Sequence, residues 1–203
     1  MADDVDVQAR LQALEDRQKI ADLIADYCRG VDRGDDALLR STYWPDAVDD
    51  HGAGDSPAMA FCDRVLPILR DSCLSTMHLV ANSRVELAGD QAFGETYVIA
   101  YHVLTSARVL DTFMGAEAAQ AVREAFPQAA AGGGPFDYNA GARFLDRFER
   151  RGGEWRFAHR RVVFDWAEAQ PGSVAFTHIN RTRGRKDGAD PSYALFAALA
   201  AAS

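Results

Sequence analysis

Apolar residues recur at Leu11, Leu14, Ile20, Ile24, Tyr27 and Val31 with the i, i+3, i+4, i+7 spacing of a helix that buries one stripe. Arg17, Lys19, Asp22 and Asp26 fall largely off that stripe. The pattern predicts a first helix over residues 4–31, with Tyr27 on the buried side and Asp32 at the helix terminus. A carboxylate there is either solvated in a loop or turned inward as a base. Asp35 is placed to N-cap a short second helix, residues 36–43, which Pro45 ends. Residues 46–52 read as a short strand or turn carrying three acids and His51. Ser56-Pro57 reads as the start of a third helix, Ser capping and Pro in the first turn, with Met59, Phe61, Val65, Leu66 and Leu69 on its apolar face.

From His78 the pattern changes to strands. Residues 78–87 are β-prone, Ala88-Gly89-Asp90 is a turn, and residues 91–105 form a longer second strand. Residues 142–150 and 155–166 make another pair, joined by the hairpin signal Arg151-Gly152-Gly153-Glu154. Large side chains occupy both faces of these strands, so one face of the sheet is expected to be covered and the other closed over something. Between the pairs, residues 108–139 form a connection too long for an ordinary turn: 117–125 are helix-prone, 129–134 Ala/Gly-rich and flexible. Such a segment is a lid, an interface element or a disordered loop. The reading is one domain over residues 1–170 with an insertion at about 108–140, then a tail, 171–203, holding a short helix over 192–202.

A chain of 203 residues supports one substantial core. The net charge of −8 argues against nucleic-acid binding, which needs clustered cations. The basic cluster at 181–186 reads as a solvated tail segment. No apolar run approaches the ~20 residues of a membrane helix, and the acidic N-terminus lacks signal-peptide order. Cys28, Cys62 and Cys73 show no CxxC spacing and read as reduced thiols of a cytoplasmic protein. Three scattered histidines without zincin or Cys/His spacing give no metal site.

Three helices followed by a strongly bent antiparallel sheet is the order of a cone-shaped α+β domain. Within it, Ile20-Ala-Asp-Leu-Ile-Ala-Asp-Tyr-Cys-Arg-Gly-Val-Asp32, Tyr43-Trp-Pro-Asp-Ala47, His78-Leu-Val-Ala-Asn82, Arg143-Phe-Leu-Asp-Arg-Phe-Glu-Arg-Arg151 and Trp155-Arg-Phe-Ala-His-Arg-Arg161 resemble a SnoaL-like member of the nuclear-transport-factor-2-like superfamily. The resemblance covers roughly residues 8–107 and 141–168. It implies a cystatin-type α+β barrel, the sheet packed on the three N-terminal helices, and a homodimer or homotrimer formed through the sheet's outer face. It does not fix a reaction, because this fold hosts lyases, isomerases, hydrolases and non-catalytic modules.

The nearest patterns in the superfamily are those of scytalone dehydratase, lindane dehydrochlorinase and bile-acid 7α-dehydratase, which eliminate a leaving group using an Asp–His pair. Asp32 and His78 match that pair, Tyr27 a catalytic Tyr, His102 a second His, and Arg160 the Arg of the dehydrochlorinase. His51 falls near a position where scytalone dehydratase has a Tyr. Ala142 and Phe144 stand where that enzyme has Ser and Asn, so its substrate contacts do not carry over.

An Asp that accepts from a His fixes the ring tautomer and makes the other nitrogen more basic. The imidazole can then remove a proton beside an activated carbon and return it to a leaving hydroxyl. Tyr27 or His102 can donate to a carbonyl as enolate charge develops, and Arg160 can neutralise an anionic leaving group or hold a carboxylate. None of this needs a metal or an organic cofactor. Tyr43, Trp44, His51, Phe61, Met77, Asn82, Phe144, Phe164 and Trp166 are the candidate walls for a hydrophobic, cyclic or aromatic small molecule; Asp49 and Asp50 fit the rim. The same aromatic residues form an ordinary core if the cone is filled, and Tyr27 on an apolar stripe reads equally as core. The expected function is a dehydratase-type lyase. A double-bond isomerase, a C–C or deformylating lyase, and a non-catalytic binding or oligomerisation module are the alternatives.

Overall fold

A computed structural model describes residues 2–172 and 182–200. Helix α1 (Ala2–Arg33) carries the apolar stripe, and from Ile20 through Leu23, Ile24, Tyr27 and Cys28 to Val31 the stripe is buried. Leu11 and Leu14 are exposed, because the helix's N-terminal half projects past the layer it packs on. The buried Asp16 anchors its middle: Trp155 Nε1–H donates to it at 2.9 Å and Arg150 pairs with it at 3.0 Å. Helix α2 (Asp36–Ser41) is capped by Asp35, whose carboxylate accepts from the Leu38 N–H at 3.0 Å. Here α1 and α2 touch backbone to backbone. A Cβ on Gly30 would stand 2.9 Å from the Leu39 Cα and N.

Strand β1 (Tyr43–Asp50) follows and pairs with the two-residue strand β2 (Ser56–Pro57). Ser56 was expected to cap the third helix. It is instead paired in β2, with its hydroxyl donating to the Asp49 carbonyl at 3.1 Å, and α3 (Ala58–Ser72) begins without a side-chain cap. Then come β3 (Cys73–Ala88), β4 (Gln91–Leu104), a 3₁₀ turn at Ala107–Val109, helices α4 (Leu110–Met114), α5 (Ala116–Ala125) and α6 (Pro127–Gly132), the hairpin β5 (Phe136–Arg151) and β6 (Glu154–Pro171), and α7 (Pro191–Ala200). The hairpin turns on Gly152 and Gly153, both at positive φ (62° and 87°), as the Gly-Gly signal requires. The Ala/Gly run 129–134 is helical up to Gly132 rather than a flexible loop.

The six strands form one curved, unclosed sheet in the order β2-β1-β6-β5-β4-β3. Every neighbouring pair is antiparallel except β1 and β6, which run parallel, a departure from the all-antiparallel expectation. The core lies between the concave face and helices α1 and α3. Within the described residues of the tail, Arg29 donates to Ser192, Tyr193 donates to Asp35, and Arg33 pairs with Asp190, tying α7 to α1. Lys186 is not solvated as expected: its ammonium donates to the Leu69 and Cys73 carbonyls at 2.6 and 2.5 Å. Arg181 and residues 201–202, part of the expected tail features, lie outside the described residues.

The Gly30–Leu39 contact is testable. Gly30→Ala gains about 1 kcal/mol of helix propensity but sets a methyl against immovable backbone, an overpacking cost of about 1–3 kcal/mol. Urea unfolding is expected to show a net loss of up to about 2 kcal/mol; a raised midpoint contradicts this account of the α1–α2 crossing.

Candidate active site

Three elements converge on the concave face: the last turn of α1, the end of β1, and rows of side chains from β3, β4 and β5 fixed by register. Cross-strand partners share a face, so His78, Ala100 and Ala140 form one row and Thr76, His102 and Tyr138 the next. Val98 and Ala142 lead a third, with Phe164 of β6 opposite Ala142. Ala100, Ala140 and Ala142 put little side-chain volume on this face, beside a cavity of about 310 Å³. Tyr27, His51, Phe61, His78, His102, Tyr138, Phe144 and Phe164 line it. Thr112 and Phe113 of α4 close one side, held by the Tyr138 hydroxyl donating to the Phe113 carbonyl at 2.9 Å.

Asp32 meets His78 at this cavity. The His78 Nδ1 lies 2.7 Å from Asp32 Oδ1, and the His78 backbone N–H donates to Oδ2 at 2.8 Å. Both carboxylate oxygens are therefore used, and the ring's Nδ1 carries the proton. Nε2 is left as the basic nitrogen on the cavity side. Burial would raise the Asp32 carboxyl, but the hydrogen bonds and charge of His78 outweigh it and hold the group below the ordinary carboxylate value. Asp32 is 6% exposed.

His102 stands edge-on to His78, ring centres 5.7 Å apart, and packs against Phe113 and Tyr138. Its Nδ1 is buried without a hydrogen-bond partner among the described residues. Burial, helped by the neighbouring His78, lowers its pKa to about 3, so the ring is neutral. A neutral imidazole with a free buried nitrogen is equipped to exchange a hydrogen bond with a ligand.

A second hydrogen-bonded set lies on β1 and α1. Tyr43 Oη–H donates to Asp49 Oδ2 at 2.6 Å, Asp49 Oδ1 is 2.5 Å from His51 Nδ1, and His51 Nε2 is 3.2 Å from Tyr27 Oη. Asp49 is 1% exposed, so it belongs to the interior and not to the rim where the sequence placed it. Burial, opposed by Arg160, pushes the Tyr27 phenol well above its ordinary value and keeps it protonated.

Arg160 does not reach the cavity wall. It is fully buried, with a bidentate pair to Asp146 at 2.8 and 2.8 Å and its guanidinium carbon 4.0 Å from the ring centres of Tyr27, Phe144 and Phe157. Direct contact with a leaving group or a substrate carboxylate, as expected from the resemblance, has no route. Arg160 acts on the site from behind, as a pedestal under Tyr27 and Phe144. Other expected wall residues are also elsewhere. Tyr43 is buried behind Tyr27 and spends its hydroxyl on Asp49. Trp44 donates to the Glu149 carbonyl and lies under Arg151 and Arg156. Met77 and Asn82 are exposed, Met77 because it neighbours the inward His78 on a strand. Trp166 lies across Gly141, where a Cβ would meet its Nε1 at 2.1 Å. Phe113, Tyr138 and the alanine rows were missed, and Asp49 was set at the rim; the i, i+2 spacing of Asp49 and His51 was the available signal for its inward side chain. Among the described residues no group of His, Cys, Asp and Glu side chains could hold a metal ion.

The SnoaL-like domain family model matches residues 12–161, and the chain belongs to that family, within the nuclear-transport-factor-2-like superfamily. No curated protein matches it in a sequence search. Among solved structures, a type 2 hexachlorocyclohexane dehydrochlorinase superposes with a TM-score of 0.60 at 22% identity, covering 81% of this chain and 95% of that one. The LinA-type3 dehydrochlorinase of Novosphingobium barchaimii gives 0.60 at 21%, over 81% and 96%. A putative scytalone dehydratase from Novosphingobium aromaticivorans gives 0.58 at 15%, over 80% and 91%. At these identities the likeness establishes the fold.

His102 makes a pH prediction. Its folded pKa is depressed from 6.5 to about 3, so the unfolded chain binds the extra proton between those values. The stability linked to neutral His102 is complete above the unfolded value and is lost as pH falls toward the folded one. His102→Phe is expected to lose less stability than the parent between pH 7 and 5, by on the order of 1–2 kcal/mol in paired denaturation curves. Parallel curves would contradict a buried neutral imidazole.

Proposed function

We propose that the protein is a cofactor-independent lyase that removes a leaving group, most simply water, from a hydrophobic cyclic or aromatic small molecule. The observation that carries this reading is the Asp32–His78 pair at the wall of a largely apolar cavity. His78 Nε2 takes the proton from a carbon made acidic by an adjacent carbonyl, while Asp32 holds the tautomer and stabilises the imidazolium that forms. The C–H electron pair becomes the new π bond as the C–O bond breaks, and the departing oxygen takes the proton back from His78. Tyr27 and His102 hydrogen-bond the substrate carbonyl and stabilise developing enolate charge. The volume of about 310 Å³ suits one or two fused rings. Residues 108–140, which place Thr112 and Phe113 on the wall, act as the lid over that ligand.

We also place self-association, as a homodimer or homotrimer, on the outer sheet face, where Met77, Leu79, Tyr97, Ile99 and Trp166 are exposed. The buried, unpaired Cys28, Cys62 and Cys73 fit a reducing, cytoplasmic setting. None of the described helices is long and apolar enough to cross a membrane.

The test is a panel of one- and two-ring β-hydroxy ketones incubated with the protein in D₂O and read by mass spectrometry. Loss of water is expected, with His78→Gln and Asp32→Asn lowering kcat/KM by about 10²–10⁴. Deuterium incorporation with the oxygen retained would convert the reading to an isomerase. Elimination at the parental rate in both variants would overturn the dyad.

A further inference from the structure

The cavity is served by two carboxylate–imidazole pairs, and the mechanism above uses one of them. We propose that Asp49 and His51 form a positioning pair whose protonation state decides whether the Tyr27 hydroxyl donates into the cavity. The ligand it selects is a carbonyl-bearing ring compound that needs that donor. This deepens, and rests on, the reading of the cavity as a site for such compounds.

The hydrogen-bond inventory leaves two states. Asp49 accepts on both oxygens, from Tyr43 Oη–H at 2.6 Å and from His51 Nδ1 at 2.5 Å, and Tyr43 has only its hydroxyl proton to give. The proton of a neutral His51 is therefore on Nδ1, and Nε2 is a bare acceptor 3.2 Å from Tyr27 Oη. In that state the phenol donates to His51, and a ligand carbonyl placed at Tyr27 meets only its oxygen lone pairs. With a second proton, Nε2–H donates to the phenol oxygen, and the phenol's own O–H is released to the cavity. Arg160, stacked on the Tyr27 ring at 4.0 Å, carries donors only, so it does not compete for that proton. Phe61 fixes the plane of the switch, stacked on His51 with centroids 4.1 Å apart at 17°.

Charged and polar groups face His51 from several elements. Strand β1, which ends just before His51, supplies Asp49 and Asp50, the latter paired with Arg161. Helix α1 supplies Tyr27, and α3 supplies Phe61 with Arg64 further along the cavity wall. The Asp146–Arg160 pair of β5 and β6 lies behind them, with Asp146 within electrostatic reach of the ring. Asp49 is the carboxylate in direct contact with a ring nitrogen.

The probe is 1-tetralone, an aromatic ketone that accepts but does not donate or titrate, labelled with ¹³C at the carbonyl and followed by isotope-edited infrared spectroscopy in the complex. In the parent protein the bound carbonyl band is expected to shift toward a hydrogen-bonded frequency as the pH is lowered from about 8 to about 5. Affinity is expected to rise about two- to tenfold over the same range, the worth of one hydrogen bond. His51→Phe keeps the stack on Phe61 and removes the competing acceptor, so its band is hydrogen-bonded at both ends of the range. Asp49→Asn does the same by another route. Its amide donates to Nδ1 and moves the ring proton to Nε2.

A parent band that does not move with pH overturns the proposal. So does a pH dependence that survives in His51→Phe. If either variant fails to fold, ¹⁵N spectra of the parent decide: 1-tetralone at fixed pH must shift His51 Nε2 toward its protonated position, and an unmoved signal overturns the proposal. Turnover enters none of these readouts, so failure of the lyase reading and failure of the switch are separable.

Discussion

The structure depends on one carboxylate in an unfavourable place. Asp32 sits in the last turn of α1, where the helix dipole presents its negative end and an anion is penalised. It is also buried, which penalises the charge again. What offsets both is His78, donating once from its backbone and once from its ring. The same two bonds join the end of α1 to β3, set the ring's orientation and choose its tautomer. A residue that breaks a local rule and is held by so specific a partner is the position on which the proposed site is built.

Around that contact the sheet leaves a hollow by omission. The register aligns Ala100 and Ala140 beside His78, with Ala142 one row on, so the concave face lacks side-chain volume where the imidazole points. The opposite wall must be rigid without filling the space. Arg160 provides this by holding three aromatic faces and one buried carboxylate at once. Losing either member of the Asp146–Arg160 pair would leave a buried charge alone, which costs about 3–5 kcal/mol. The aromatic wall is therefore built on an ion pair that no ligand touches.

Much of this was legible in the sequence, for reasons that differ by residue. The stripe on α1 gave Tyr27 its side, the Asp32 and His78 positions followed from the family resemblance, and the Gly-Gly turn located the β5–β6 hairpin. What stayed hidden depended on register. Arg160 and Asp146 are direct cross-strand partners, a fact absent from either strand alone. Phe164 and Trp166 are two apart and would share a face in a regular strand. A register shift between Gly141 and Ala142 turns Phe164 to the cavity and lays Trp166 over Gly141 on the outside. Asp49 was read as a rim residue and not an interior one, because a parallel partner for β1 could not be seen from local pattern.

The central claim is that Asp32 holds His78 with its proton on Nδ1 and a bare Nε2 toward the cavity. Long-range ¹H–¹⁵N NMR of the unliganded protein at neutral pH measures this directly. The account predicts His78 as the Nδ1–H tautomer, with Asp32→Asn releasing it. A His78 found as the Nε2–H tautomer, or unchanged by that substitution, would contradict it.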